Sequence, residues 1–307
     1  MIDLMCMEYH QPVMLQECLA ALNIKPDGVY IDLTFGGGGH SSAILNHLGK
    51  GKLFVFDQDP DAKANATALN DDRLVFIPSN FRYFSKYLRM YHVKAVDGIL
   101  ADLGVSSHQI DAPERGFSTR FDAHLDMRMD QKGKLTAANI LNEYNQEELM
   151  IMFSNYAEIR NSRTLAAEIV TSRKNSPIRT SAQLKEIILP LAKRGKENQY
   201  LARVYQALRI AVNDELAALR DMLSQTTDVL SVGGRLVVMS YHSLEDRLVK
   251  YYINTGSFSG KREKDFYGNL IRPLEPVNRK PITASMDEIA ANNRARSAKL
   301  RIAEKIK

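Results

Sequence analysis

Three aspartates, Asp32, Asp57 and Asp102, each close a short apolar run: VYID, KLFVFD and VDGILAD. Four consecutive glycines, Gly36 to Gly39, follow the first of them and lead into HSSAILNHL. Apolar run, glycine turn and helical stretch make a strand–turn–helix unit. Such a unit holds nucleotide-like ligands because its backbone approaches without a Cβ and its helix presents free N–H groups. Glycine runs also make plain flexible turns, so the turn alone selects no ligand. Asp57 lies about twenty residues beyond the turn, where an acid accepts hydrogen bonds from ribose hydroxyls. Three acids at one crevice repel a pyrophosphate but suit a ligand carrying hydroxyls and positive charge, such as the ribose, ammonium and sulfonium of S-adenosylmethionine. Ser41 stands where a dinucleotide fingerprint needs its third glycine, which moves the balance from dehydrogenase to methyltransferase.

These aspartates share a crevice only if their strands are parallel, since ligands of such sheets bind beyond the carboxyl ends of the strands. Strand and helix do alternate as far as residue 109. Leu15, Cys18, Leu19 and Leu22 mark a helix with Pro12 in its first turn, expected over one edge of the sheet. His10 reads as a polar residue at the start of that helix. Asp59 and Pro60 open a second helix, with Asp59 as its cap, and Phe84, Tyr87, Leu88 and Tyr91 give another a core stripe. Phe81, just past the RLVFIP strand, is either a platform for a purine or core. LGVSSHQ, after Asp102, reads as a loop.

The alternation then stops for about a hundred residues, far more than an ordinary loop. AANILNEY, EELMIMFSNY, RTLAAEIVTS and a stretch opened by a Thr180–Gln183 capping box are helical instead. ERGFSTRFDAHLDMRMD, ahead of them, has neither helical nor strand period; it is either a solvated loop or a substrate-facing lid. Tyr200 to Leu230 reads as one long helix ended by Gly233 and Gly234. RLVVMS is a fifth strand with Tyr241, His242 and Ser243 at its carboxyl end, where His242 is a base, a substrate donor or simply the first residue of a helix. SAKLRIAEK is expected as an antiparallel edge strand, and Arg294, Arg296, Lys299 and Arg301 as phosphate contacts.

Composition bounds the partners. A hydrophobic share of 45% with 25% charged predicts a packed core. The net charge of +5 is compatible with nucleic acid, and basic residues outnumber acids from Arg160 to Arg209 and from Lys261 to Lys307. Two cysteines, Cys6 and Cys18, without a CxxC or a His-rich partner, indicate neither a disulfide framework nor a zinc site. Cys18 reads as core. No segment has the look of a signal peptide or a membrane span, so a soluble cytoplasmic protein is expected.

HQPVML, IDLTFGGGGHS, FDQDP, SNF, DGILADLGVSSHQ, ERGFS, LDMRMD, YQALRIAVNDEL, SYHSLEDR and RARSAKLR occur in this order from His10 to Lys305. The chain thereby resembles the RsmH (MraW) family of ribosomal RNA small subunit methyltransferases. The resemblance implies an α/β fold, a class I (Rossmann-like) methyltransferase sheet with an inserted all-helical domain. Residues 1–110 and 205–307 would bind S-adenosylmethionine, leaving S-adenosylhomocysteine as product, and residues 111–204 would recognise substrate. It also implies methylation at N4 of a cytidine in the decoding region of 16S rRNA in the small subunit, with no metal and no membrane. Carried over position by position, the cofactor contacts are Gly38, Gly39, His40, Asp57, Phe81, Asp102 and Gln109. Asp102 and His242 are the expected catalytic residues. The sequence leaves the oligomeric state open, a homodimer included. Thr34 replaces the first glycine of the common class I signature, as it does in this family. No Pro-Pro-Tyr/Phe follows Asp102, so the N4 target rests on the resemblance alone. The residues by themselves also admit a nicotinamide-dependent oxidoreductase, or an RNA-binding assembly factor with a vestigial pocket.

Overall fold

In the computed structural model the described residues are 12–307; Cys6, His10 and Gln11 lie outside them. The chain divides into two compact units, one formed by Met1–Gly104 with Ala217–Lys307 and the other by Val105–Leu216.

The first unit is built on a seven-stranded sheet of order β3-β2-β1-β4-β5-β7-β6. Its strands are β1 (Val29–Asp32), β2 (Lys52–Phe56), β3 (Leu74–Ile77), β4 (Val96–Asp102), β5 (Leu230–Ser240), β6 (Leu274–Pro276) and β7 (Lys299–Lys305). β1 to β5 are parallel, whereas β7 runs antiparallel between β5 and β6. β7 is therefore interior, and the edge falls to three-residue β6, where Pro276 removes a donor that an inner strand would need. Along each strand the side chains alternate. Tyr30, Leu53, Val55, Leu100, Val237 and Met239 join one core cluster with residues of α1 (Leu15–Leu22), α2 (Gly39–His47) and α3 (Ala62–Leu69). Ile31, Phe54, Phe56, Ile99, Leu236 and Val238, pointing the other way, are buried as well. A parallel sheet is covered on both faces in this manner because its crossovers carry helices.

Some local expectations needed correction. Pro12 lies ahead of α1 rather than in its first turn, because Met14 takes a left-handed conformation (φ 51°) at the helix start. α1 packs on β4 and β5, inside the sheet and not at an edge. α4 (Phe84–Met90) buries Phe84 and Leu88, but Tyr91, after its end, is 48% exposed and is not core. Gly233 and Gly234 do not end a helix; they lie in a bulge of β5, where the pairing with β4 jumps from Val96–Leu230 to Gly98–Arg235.

The second unit is helical: α5 (Ser107–Asp111), α6 (Ala137–Glu143), α7 (Gln146–Ala157), α8 (Ser162–Asn175), α9 (Ser181–Ile188) and α10 (Glu197–Asn213). Its core gathers Ile140, Phe153, Leu165, Ile169, Leu184 and Leu208 with others. The long helix expected over 200–230 is two, because Asp214 is left-handed (φ 50°) between α10 and α11 (Glu215–Val229). SHQID is a helix and not a loop, with Ser106 at its N-cap and Ser106 and Gln109 capping one another reciprocally. The irregular ERGFS–LDMRMD segment is not a solvated loop. Leu125, Met127 and Met129 are buried, and Arg115 donates to the carbonyls of Arg128 and Met129. Gly116 sits at φ 72°, and a Cβ there would strike the backbone of His124 and Asp126. Only glycine meets both conditions.

The remaining helices, α12 (Ser243–Thr255) and α13 (Met286–Ala291), belong to the first unit. No helix among the described residues is long and apolar enough to cross a membrane.

Candidate active site

Parallel pairing of β2, β1 and β4 brings the ends of three adjacent strands together, with the glycine turn after the middle one. Asp32, Asp57 and Asp102 therefore do cluster, but their surroundings separate them. Asp32 is 1% exposed and wholly occupied. One oxygen accepts from Thr34 N at 3.1 Å and the other from Ser41 Oγ at 2.6 Å, so this acid ties the turn to α2 instead of facing a ligand. Ser41, noticed in the sequence only as a missing glycine, is the group that satisfies it. Thr34 joins the neighbouring strand end by accepting from Asp102 N at 2.6 Å.

Asp57 accepts from Gly36 N at 2.8 Å through one oxygen and from Asp59 N at 2.8 Å through the other. Burial pushes its pKa up to about 6 against those hydrogen bonds. Asp59 accepts from Asp61 N and turns the chain into α3. Within the glycine turn Gly36 and Gly38 have positive φ, while a Cβ on Gly38 or Gly39 would meet the Phe35 ring or Pro12. Gly37 differs: a Cβ there meets nothing within 4 Å. The turn thus exposes one glycine to open space between Asp57 and α2, a cradle suited to a ligand approaching the backbone.

Asp102 is the most chemically interesting of the three. Its Oδ1 accepts from the Tyr241 hydroxyl at 2.8 Å, and its Oδ2 stands 3.9 Å from His40 Nδ1. Burial pushes the Asp102 pKa up to about 6, with His40 and Tyr241 opposing the rise. Tyr241 is held well above its ordinary range by burial and by Asp102, so it remains a neutral donor. His40 is buried, its Nε2 3.1 Å from Val13 O. Cys18 is buried core; burial and Asp102 keep its thiol protonated.

At the end of β5, His242 starts α12. Its Nδ1 accepts from Glu245 N at 3.4 Å, and Glu245 Oε2 accepts from His242 N and, at 2.9 Å, from Tyr241 N. As an acceptor Nδ1 is unprotonated, which puts the ring proton on Nε2. Nε2 stands 3.1 Å from Glu245 Oε1 without the alignment of a hydrogen bond. Glu245 is 3% exposed and was missed in the sequence, although its spacing from His242 is that of a capping box.

Phe81 begins a short 3-10 turn capped by Asn80, and is half-buried. Gln109 belongs to the other unit, where its Oε1 accepts from Ser106 N at 3.1 Å. Of the C-terminal cations, Arg301 is buried and donates to Asp246 at 2.6 Å, with Lys299 3.6 Å from the same carboxylate. Arg301 thus holds β7 to α12 and is not a phosphate contact.

The pattern describing the MraW methylase family matches residues 7–306 of this chain. A protein of Christiangramia forsetii named ribosomal RNA small subunit methyltransferase H is 55% identical over 301 residues, covering 98% of this chain and 99% of that one. Its namesake in Cytophaga hutchinsonii is 54% identical over 297 residues, covering 97% and 99%. The crystal structure of an rRNA methylase from Streptococcus thermophilus aligns over 95% of this chain and 94% of that one, at 12% identity and a TM-score of 0.42.

Proposed function

Because the chain belongs to the MraW methylase family, we propose that it methylates N4 of a cytidine in the decoding region of 16S rRNA, using S-adenosylmethionine and acting on the small ribosomal subunit in the cytoplasm. The observation that carries this reading is the pair of carboxylates, Asp57 and Asp102, on either side of a glycine turn whose Gly37 faces open space. Acids placed there suit a ribose-bearing cation and disfavour a pyrophosphate.

In this reading Gly38, Gly39 and His40 receive the cofactor along the turn, Asp57 accepts from its ribose hydroxyls, and Phe81 packs against its purine. Gln109 joins them through the family resemblance. Bound S-adenosylmethionine supplies a methyl group activated by its sulfonium. The exocyclic amine of cytosine is a weak nucleophile, since its lone pair is delocalised into the ring, so the protein must orient it and accept its N–H groups. Tyr241 engages Oδ1 of Asp102, which leaves Oδ2 to accept an amine N–H and then its proton. His242, whose Nδ1 is committed to the cap of α12, frames the unstacked base beside Tyr241. Residues 111–204 take the part of substrate recognition.

Incubation of unmethylated small subunits with labelled cofactor, followed by mass spectrometry of the digested rRNA, tests the reading. A single N4-methylated cytidine is expected; label on carbon or on another base overturns the target. Single-turnover rates of Asp102→Ala and His242→Ala test the residues, and near-normal rates in both at saturating cofactor would remove them from the reaction.

A further inference from the structure

Between α12 and β6 the chain leaves the sheet as a hairpin that the methyl-transfer site does not use. Lys264 and Leu270 pair across it, Ile271 N donates to Glu263 O at 2.9 Å, and Asp265 N donates to Asn269 O at 2.9 Å. At its tip Phe266 is 97% exposed and Tyr267 is 85% exposed, with ring centroids 5.6 Å apart and planes at 87°. Exposing two adjacent aromatic rings costs solvation free energy, and a loose turn would let them fold back onto the protein. This turn is held instead. The Asp265 carboxylate accepts from Tyr267 N at 2.9 Å, Asn269 N at 2.8 Å and the Asn269 side chain at 3.0 Å. The root is fixed as well, with Gly260 against the Tyr251 ring and Ile306 N donating to Pro273 O. Two rings are thus displayed on a rigid support.

Charge decides between apolar partners and nucleic acid. Lys261, Arg262 and Lys264 line the approach to the tip and are all exposed. Of the acids nearby, Glu263 lies exposed between Arg262 and Lys264, Asp265 is consumed within the turn and Glu275 is paired with Arg272, which leaves Lys261, Arg262 and Lys264 in excess of Glu263. Exposed aromatics flanked by an excess of exposed cations are the means by which proteins hold unpaired nucleotides, through stacking plus phosphate attraction. A partner protein's apolar pocket would need the rings but not the cations.

We propose that the Phe266–Tyr267 hairpin is a second RNA contact, which stacks unpaired bases of the substrate remote from the nucleotide being methylated. The proposal rests on the rRNA substrate inferred above. α12 starts beside the catalytic end of the sheet, and its 13 residues run away from it, so the hairpin root lies roughly 20 Å from that end. Only a substrate that extends several nucleotides beyond the target can occupy both places. The hairpin therefore favours an extended RNA substrate over the isolated target nucleotide.

The test compares Phe266→Ala/Tyr267→Ala, Phe266→Trp/Tyr267→Trp, Phe266→Leu/Tyr267→Leu and Lys261→Glu/Arg262→Glu/Lys264→Glu with the natural protein. Methylation of small subunits is followed at several salt concentrations, and binding of S-adenosylhomocysteine serves as the control for folding. The wild-type reaction is the control for the rRNA reading: if it fails to methylate subunits, that reading falls before the hairpin is in question. Given an active wild type, the Ala pair should raise KM for subunits about tenfold or more with kcat and cofactor affinity unchanged. The Trp pair should restore KM, and the charge-reversed variant should flatten its salt dependence. Unchanged KM in the Ala pair overturns the proposal. Full rescue by Leu, or a change in oligomeric state, also overturns it, by assigning the tip to a protein surface.

Discussion

Asp102 is the residue on which the chemistry and the stability of this protein pull in opposite directions. Its pKa of about 6 lies above the ordinary 3.8, so the folded state holds its proton more tightly than the unfolded chain does. Stability from this group is then complete below about pH 4 and is lost as pH rises through 6. Asp102→Asn, which keeps an acceptor for Tyr241, should be more stable than the natural protein at pH 7.5 by about 1–3 kcal/mol, the upper end being two pKa units. Denaturant titration at pH 7.5 and pH 4 checks this, since the gain should vanish at the lower pH. The same substitution should abolish methyl transfer, and the natural enzyme's single-turnover rate should climb through pH 6 and level off above it. Gly37 offers the complementary case. Gly37→Ala meets no protein atom within 4 Å and should leave the melting temperature within a degree or two, yet weaken cofactor binding tenfold or more by calorimetry. Equal affinity in the variant would mean that the ligand does not pass over this glycine.

The elements were legible wherever a run had one clear period and a clear stop. The strands ending in Asp32, Asp57 and Asp102 could be read because apolar runs ended in acids at the start of a turn, and their parallel pairing follows from the helices between them. Period fails where an element is too short or two elements share a stripe. α5 has five residues, too few for an apolar repeat, and the Ser106–Gln109 capping box was its only signal. Leu208, Val212, Leu219 and Leu223 carry one stripe through Asp214, so nothing in the pattern marks the break. Glycines at a helix end and at a strand bulge read alike, which hid the β5 bulge. In the site, the clustering of the acids was readable but the fate of Asp32 was not, because its partners Ser41 and Thr34 come from the turn's folded geometry. Gly116 gives the test at this scale. Gly116→Ala forces a left-handed backbone on alanine and a clash with the His124 carbonyl, and should cost more than about 2 kcal/mol in urea unfolding. A loss below 0.5 kcal/mol would show, roughly, that the 115–129 segment relaxes freely.

Among the described residues, the core cluster on one face of the sheet and the cluster among α6 to α10 share no residue. Thermal unfolding should therefore depart from a single two-state transition. A ligand held chiefly by the β1–α2 turn stabilises the first unit most, by about 2.7 kcal/mol at a hundredfold excess over Kd. Calorimetry with S-adenosylhomocysteine should move the first unit's transition upward by more than the other's. Coincident movement of both would mean that the units unfold together.

β4 lies at the centre of the sheet, but its partner β5 follows only after the entire helical unit. During synthesis this strand waits for about 130 residues, or roughly 6–25 s at 5–20 residues per second, with the N–H and C=O groups of one edge unpaired. The helical unit is complete within that interval and can fold first, from contacts local to itself. The order of manufacture thus runs opposite to the order of the sheet: the inserted part is complete while the part whose sequence brackets it is still being made, and an exposed β4 edge is the stage most vulnerable to aggregation.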